Sequence, residues 1–179
     1  MVRKENIIFI GLPGCGKSVM SNELSIIYGK KVLDLDNLLI QEIGSLQDYI
    51  DNHGNTEFKK REYEICNKYI STAKDCIISP GGSIIFYNSL MEYIKRKFII
   101  IFLDVELNVI LMRTNNFNNR GVILPDEGYD MQYKFKKLYE IRTELCKKYC
   151  DIHIKGNNIK INEVVRNVME YYSRQLVYN

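Results

Sequence analysis

Gly11-Leu12-Pro13-Gly14-Cys15-Gly16-Lys17-Ser18 stands between two readable elements. Before it, Asn6–Ile10 is a short apolar run suited to a strand. After it, Val19, Met20, Leu24 and Ile27 recur at helical spacing within Gly16–Ile27. A strand, a glycine turn and a helix form the context in which G-x-x-x-x-G-K-[ST] holds phosphate. Glycines let successive backbone N–H groups point inward at phosphate oxygens, and the helix N-terminus adds the positive end of its dipole. Lys17 brings a point charge to the β and γ phosphates, and the Ser18 hydroxyl suits Mg²⁺. Gly11, Pro13, Gly14, Cys15, Gly16, Lys17, Ser18 and Val19 are therefore the expected contacts of a nucleoside triphosphate. The competing possibility is a glycine turn with an incidental Lys-Ser, and the flanking strand and helix argue against it.

Outward from this turn, strands and helices alternate. Lys31–Leu35 is a second strand candidate, and Asp36 to Ser71 shows helical periodicity with a loop at Asn52–Asn55. Cys76–Ile78 is a third strand, stopped by Ser79-Pro80-Gly81-Gly82. Phe98–Leu103 is continuously apolar, as expected for a strand buried on both faces of a parallel sheet. Glu106–Met112 reads as a helix, Asn115–Gly128 as a polar loop rich in Asn and Gly, and Tyr129–Tyr149 as a helix. Ile152–Ile154 is a short fifth strand, and Asn162–Val177 a closing helix with Asn162 as its N-cap. With right-handed crossovers, this alternation predicts an α/β fold: a doubly wound, five-stranded parallel sheet with helices on both faces. No repeat, low-complexity tract or linker divides the chain, so residues 1–179 are expected to form a single domain.

The composition fits that expectation. The chain has 179 residues, 46% hydrophobic and 26% charged, as in an ordinary globular domain. Lys+Arg 25 against Asp+Glu 22 leaves a formal +3, too small for bulk attraction to nucleic acid or a membrane surface. Any bound anion must then be held by a local site. No apolar run approaches the ~18 to 20 residues that span a bilayer, and Met1 to Ile10 lacks a signal-peptide pattern. Five cysteines at irregular positions suggest reduced thiols and a cytoplasmic protein. Cys146 and Cys150 lie one helical turn apart, but no His or second Cys pair completes a zinc site, so packing is the expectation. His53, expected in a loop, and His153, expected in a strand, are assigned no chemistry. Tyr129, Tyr133 and Tyr139 are expected to pack.

Asp34-Leu35-Asp36 closes the second strand candidate. Alternation along a strand would put both carboxylates on one face at the C-terminal edge of the sheet, where ligands of open α/β folds bind. Alternatively, an Asp here could cap a helix running from Asn37 onward. Together with the phosphate turn, the arrangement resembles the shikimate kinase family, small members of the nucleoside-monophosphate-kinase-like P-loop group, over nearly the whole chain. Asp34-Leu35-Asp36 resembles that family's D-x-D. Ile43-Gly44-Ser45-Leu46 through Gly54, Glu57, Phe58, Lys59 and Glu62 is similar to its substrate-binding helices with their F-R-x-x-E signature. Ser79-Pro80-Gly81-Gly82 resembles the glycine-rich turn that stands where other P-loop enzymes carry a Walker B acid. Arg113-Thr114 and Arg120 resemble the adenine-contacting and lid arginines, and Arg142-Thr143-Glu144-Leu145 the R-x-P-L of a carboxylate clamp.

The resemblance implies transfer of the γ-phosphoryl of ATP to the 3-hydroxyl of shikimate, with ATP and Mg²⁺ as cofactors. It implies Lys17, Asp36 and Arg120 as catalytic residues, and Ser18 with Asp34 at the metal. Arg113 and Arg120 would hold the nucleotide, and Asp36, Lys59, Gly81, Gly82 and Arg142 the substrate. A substrate-binding helical segment of about 36–71 and a lid of about 114–128 go with these roles, in a monomer whose partner is a small molecule rather than nucleic acid or membrane. The chain departs from the pattern at Lys59, where the family has Arg, at Ser83 in place of a third glycine, and at Gly121 where a proline follows the lid Arg; another proline is missing after Arg142. Arg142, Arg120 and Lys59 also fit plain solvated charge. A kinase of another small hydroxy acid or of a nucleoside monophosphate, and a non-catalytic ATP-binding relative, are the alternatives.

Overall fold

Five apolar runs become the sheet: β1 (Asn6–Ile10), β2 (Lys31–Asp34), β3 (Cys76–Ser79), β4 (Phe98–Asp104) and β5 (Ile152–Lys155). The computed structural model describes residues 4–113 and 131–177. Arg120, Gly121, Tyr129 and the expected lid at 114–128 lie outside the described residues. The strands are all parallel in the order β2-β3-β1-β4-β5. Between them run α1 (Lys17–Tyr28), α2 (Leu35–Ile43), α3 (Leu46–Ser71), α4 (Asn88–Lys97), α5 (Leu107–Arg113) and α6 (Met131–Tyr149), with a 3₁₀ turn at Ile84–Phe86, and α7 (Ile161–Val177) follows β5.

Strand alternation explains why helices cover both faces. Ile8 and Ile10 of β1 and Ile100 and Phe102 of β4 point into one core, with Ile70, Met91 and Tyr149. Their neighbours Ile7, Phe9, Ile99 and Ile101 point into the other, with Leu24 of α1 and Val164 and Val168 of α7. The six residues of the apolar run Phe98–Leu103 are buried, as predicted, and so is Asp104 at the end of β4. The doubly wound sheet expected from the sequence is therefore present. Successive connections run to opposite sides of β1, which makes the C-terminal edge around β1 and β3 the topological switch point.

Four local expectations are corrected. β2 ends at Asp34, not Leu35: the Asp34 carboxylate accepts the N–H of Asn37 at 3.1 Å, and this cap turns the chain into α2 immediately. Leu35 then packs in the core at 1% exposure while Asp36 occupies the first helical turn, so strand alternation does not place the two carboxylates. The expected loop at Asn52–Asn55 is instead a single non-helical residue, Gly54, inside α3, and His53 is helical, its ring 4.4 Å from that of Tyr49. The real break falls at Gly44, φ 79°, with Ser45 capping α3 through the Asp48 N–H. Asn162 is not a cap: α7 begins at Ile161, and the Lys160 carbonyl takes the N–H groups of Glu163 and Val164. Ile161 packs on the second core, which draws the helix start forward. Residues 83–97 carry no expectation from the sequence; there the structure forms the 3₁₀ turn and α4, whose Leu90, Met91 and Ile94 are buried.

Candidate active site

The phosphate turn owes its shape to backbone that side chains would spoil. Gly11, Gly14 and Gly16 have φ of 145°, 85° and 103°. A Cβ on Gly11 would lie 2.9 Å from the Leu103 carbonyl oxygen, a backbone atom that cannot yield. The turn delivers the chain into α1, whose N-terminal N–H groups and dipole attract anions. Lys17 is 9% exposed, and its Nζ donates to the carbonyl oxygens of Gly11 and Leu12, both at 3.0 Å. The ammonium is thus held at the mouth of the turn.

Two hydroxyls flank it. The Ser18 hydroxyl lies 3.2 Å from that of Ser79, and the β2–β3 register sets Asp34 beside Ser79. Hydroxyl and carboxylate oxygens are the donors a hard cation such as Mg²⁺ takes, together with phosphate oxygens. Among the described residues no group of three or more His, Cys, Asp or Glu side chains could hold a metal. The donor set therefore suits an ion brought with a nucleotide rather than one caged by protein alone.

The second wall is the turn after β3. It faces the phosphate turn across a cleft of about 320 Å³, whose lining includes Lys17, Ser18, Asp36, Phe58, Glu62, Gly81, Gly82, Arg113 and Arg142. Pro13, Gly14, Gly16 and Val19 also line it. Close approach explains both glycines. A Cβ on Gly81 would come within 2.6 Å of Asp36 Oδ1, and one on Gly82 within 2.9 Å of an Arg142 terminal nitrogen. Leu39, Leu46 and Phe58 give the cleft an apolar side, continuous with a small core between α2 and α3.

Arg142 is the unusual group. It is 4% exposed, its guanidinium lies 5.4 Å from the centre of the Phe86 ring, and its Nε and Nη1 have no hydrogen-bond partner. Burial lowers its pKa to about 10, against the raising effect of nearby Glu62, so it stays cationic at neutral pH. Unpartnered buried polar atoms cost about 1–3 kcal/mol, more when charged. Such unpartnered donors suit an anion in the cleft.

Glu62, on α3, accepts hydrogen bonds from the hydroxyls of Ser83 and Tyr87. Burial pushes its carboxyl above the usual carboxylate range; the two hydroxyls and Arg142 oppose this and Asp36 adds to it. Glu62 belongs to the motif that the sequence singles out, but nothing there pairs it with Ser83 and Tyr87, which lie 21 and 25 residues away. Of the apolar wall, Leu46 and Phe58 belong to the expected substrate-binding motif, while Leu39, like Phe86, was not anticipated. Among the expected contacts, the structure brings Pro13, Gly14, Gly16, Lys17, Ser18, Val19, Asp36, Gly81, Gly82, Arg113 and Arg142 to one cleft, while Gly11 and the buried Cys15 lie off its wall. Lys59 is exposed and off the cleft wall. Asp34 is not on that wall either; its carboxylate caps α2. Arg113, at the rim, donates to the carbonyl of Asn157, whose side chain is exchanged in two hydrogen bonds with Glu106. His153 does have a partner, the buried Asp104 at 2.8 Å, and its ring stacks on Phe102.

A P-loop opposite a glycine turn, on a parallel sheet ordered β2-β3-β1-β4-β5, defines the nucleoside-monophosphate-kinase-like P-loop fold class. The family model described as shikimate kinase matches residues 13–173, and the chain belongs to that family. A shikimate kinase of Clostridium beijerinckii is 29% identical over 98% of this chain and 99% of its own length. One from Marinomonas sp. is 25% identical over 98% and 96%. Among solved structures, the shikimate kinase of Acinetobacter baumannii in complex with shikimate superposes with a TM-score of 0.81 at 23% identity, covering 95% of this chain and 93% of that one. The Aquifex aeolicus shikimate kinase gives 0.78 at 23% identity, covering 97% and 99%. No described helix is long and apolar enough to cross a membrane.

Proposed function

We propose that this enzyme transfers the γ-phosphoryl group of ATP to the 3-hydroxyl of shikimate. The observation that carries this is that Arg142 Nε and Nη1, both buried, have no hydrogen-bond partner in the same cleft as the phosphate turn. An acceptor that bears a carboxylate and hydroxyls suits it, because a guanidinium grips a carboxylate with two parallel hydrogen bonds. Asp36, which faces the same cleft, orients the attacking hydroxyl. With a carboxylate's ordinary low basicity, orientation is its main contribution. Gly81 and Gly82 let the acceptor lie close to the backbone.

Phosphoryl transfer passes through a loose transition state in which positioning and charge neutralisation dominate. Lys17, already held at the turn, meets the phosphate oxygens by exchanging carbonyl partners for them. Arg113 contacts the nucleotide from the rim, and Arg120 adds positive charge at the transferring group. Mg²⁺, when bound at the Ser18 hydroxyl with Asp34 beside it, supplies further neutralisation of the phosphates. Arg142 rather than Lys59 takes the acceptor carboxylate, since Lys59 is exposed and off the cleft wall. The enzyme acts as a cytoplasmic monomer without a nucleic-acid or membrane partner.

A coupled ADP-release assay with shikimate, gluconate and AMP as separate acceptors tests the assignment. ADP formation should depend on added shikimate. Release with another acceptor instead would move the protein to a different substrate, and ATP binding without turnover on any acceptor would make it a non-catalytic relative.

A further inference from the structure

A buried carboxylate beside a buried guanidinium ordinarily joins it in a two-pronged ion pair. Here that does not happen. Glu62 Oε1 lies 3.5 Å from the position a Cβ on Gly81 would take, and an Arg142 terminal nitrogen 2.9 Å from the equivalent position on Gly82. The acid and the cation therefore overhang adjacent residues. Yet Nε and Nη1 of Arg142 are unpartnered, while Oε1 of Glu62 accepts from Ser83 and Oε2 from Tyr87.

We infer that the Ser83 and Tyr87 hydroxyls are positioning groups of the acceptor pocket: by engaging both oxygens of Glu62 they hold the acid away from Arg142 and leave its unpartnered Nε and Nη1 donors for the acceptor carboxylate. This rests on the role of Arg142 proposed above. Tyr87 is fixed for the task, its ring edge-on to Tyr63 with centroids 5.4 Å apart and its oxygen also 3.1 Å from the Lys59 carbonyl. A phenol has one proton; donated to Glu62, the closer acceptor, it covers Oε2. Ser83 stands where the related pattern has glycine, so its hydroxyl is a feature of this chain. Two neutral hydroxyl bonds divert the acid, whereas ionic pairing with Arg142 would compete directly with substrate.

The test is steady-state kinetics of four proteins: wild type, the double variant Ser83→Ala with Tyr87→Phe, Glu62→Gln, and the triple variant. Without the two hydroxyls, Glu62 turns to Arg142, and the KM for shikimate should rise about tenfold or more, with kcat at saturating shikimate and the KM for ATP within about twofold. Adding Glu62→Gln removes the competitor and should return the shikimate KM to within about twofold of the Glu62→Gln single variant. A double-variant KM within about twofold of wild type overturns the inference, as does a raised KM that Glu62→Gln does not rescue. The single variants Ser83→Ala and Tyr87→Phe, each expected to raise KM about threefold, decide the matter if the double variant fails to fold. Absence of shikimate-dependent ADP formation in wild type would instead refute the assigned activity, a result distinct from unshifted variants of an active enzyme.

Discussion

Replacing Gly81 by alanine probes the acceptor site by a single methyl group. Gly81 is not among the residues with positive φ, so its backbone accepts an L side chain without strain. The added Cβ would lie 2.6 Å from Asp36 Oδ1, whereas ordinary contact begins near 3.4 Å. Asp36 is an exposed carboxylate at the start of α2, so it yields by about 0.8 Å rather than breaking the fold. Misplacement of a positioning group by ~1 Å can cost about 100-fold in rate. The expected outcome is a fall in kcat between about 10- and 100-fold in the ADP-release assay. ATP affinity by titration calorimetry should stay within about twofold and Tm should not fall, because Gly→Ala at a compatible site tends to stabilise by ~0.4–1 kcal/mol. Gly156→Ala is the control: its nearest neighbour would be Ile159 Cγ1 at 3.6 Å, an ordinary contact, and the rate should be unchanged. If Gly81→Ala keeps kcat and the shikimate KM within about twofold of wild type, Asp36 does not orient the attacking hydroxyl.

Other outcomes follow from the same geometry. Lys17→Ala and Asp36→Ala should each lower kcat by about 100-fold or more with the circular dichroism spectrum retained, and near-normal transfer by either would contradict its role. Lys59→Arg should leave the shikimate KM within about twofold; a clear fall would bring that side chain into the acceptor pocket. Burial holds the Glu62 carboxyl above its ordinary value of 4.5, so the folded protein retains that proton more tightly than the unfolded chain. The resulting stabilisation is complete below about pH 4.5 and is lost as pH rises through the raised value. Wild type should therefore lose Tm relative to Glu62→Gln as pH climbs from 4.5 toward neutrality, and parallel Tm curves would refute the assignment.

The phosphate turn was legible because its function is written in consecutive residues: glycines where φ must be positive, then lysine and serine at the mouth of α1. β4 was legible because burial on both faces leaves no polar residue to interrupt it. Asp36 was identified for a reason that does not hold, since the cap made by Asp34 ends the strand before alternation can act. α4 escaped notice although Leu90, Met91 and Ile94 form its buried stripe, because the glycine turn before it masks the start of the period. The tie between Glu62 and the Ser83–Tyr87 pair could not be read at all. It exists only because α3 and the chain after β3 pack together, and no local spacing encodes that.

The sheet order has a pharmacological consequence. β1 and β3 are hydrogen-bonded neighbours, roughly 4.8 Å apart, and the two turns that leave them form opposite walls of one cleft. A single inhibitor joining a polyphosphate to an acidic ring would need almost no spacer. Its two halves would be tethered at the separation the scaffold itself imposes, and lengthening the bridge should weaken it rather than help.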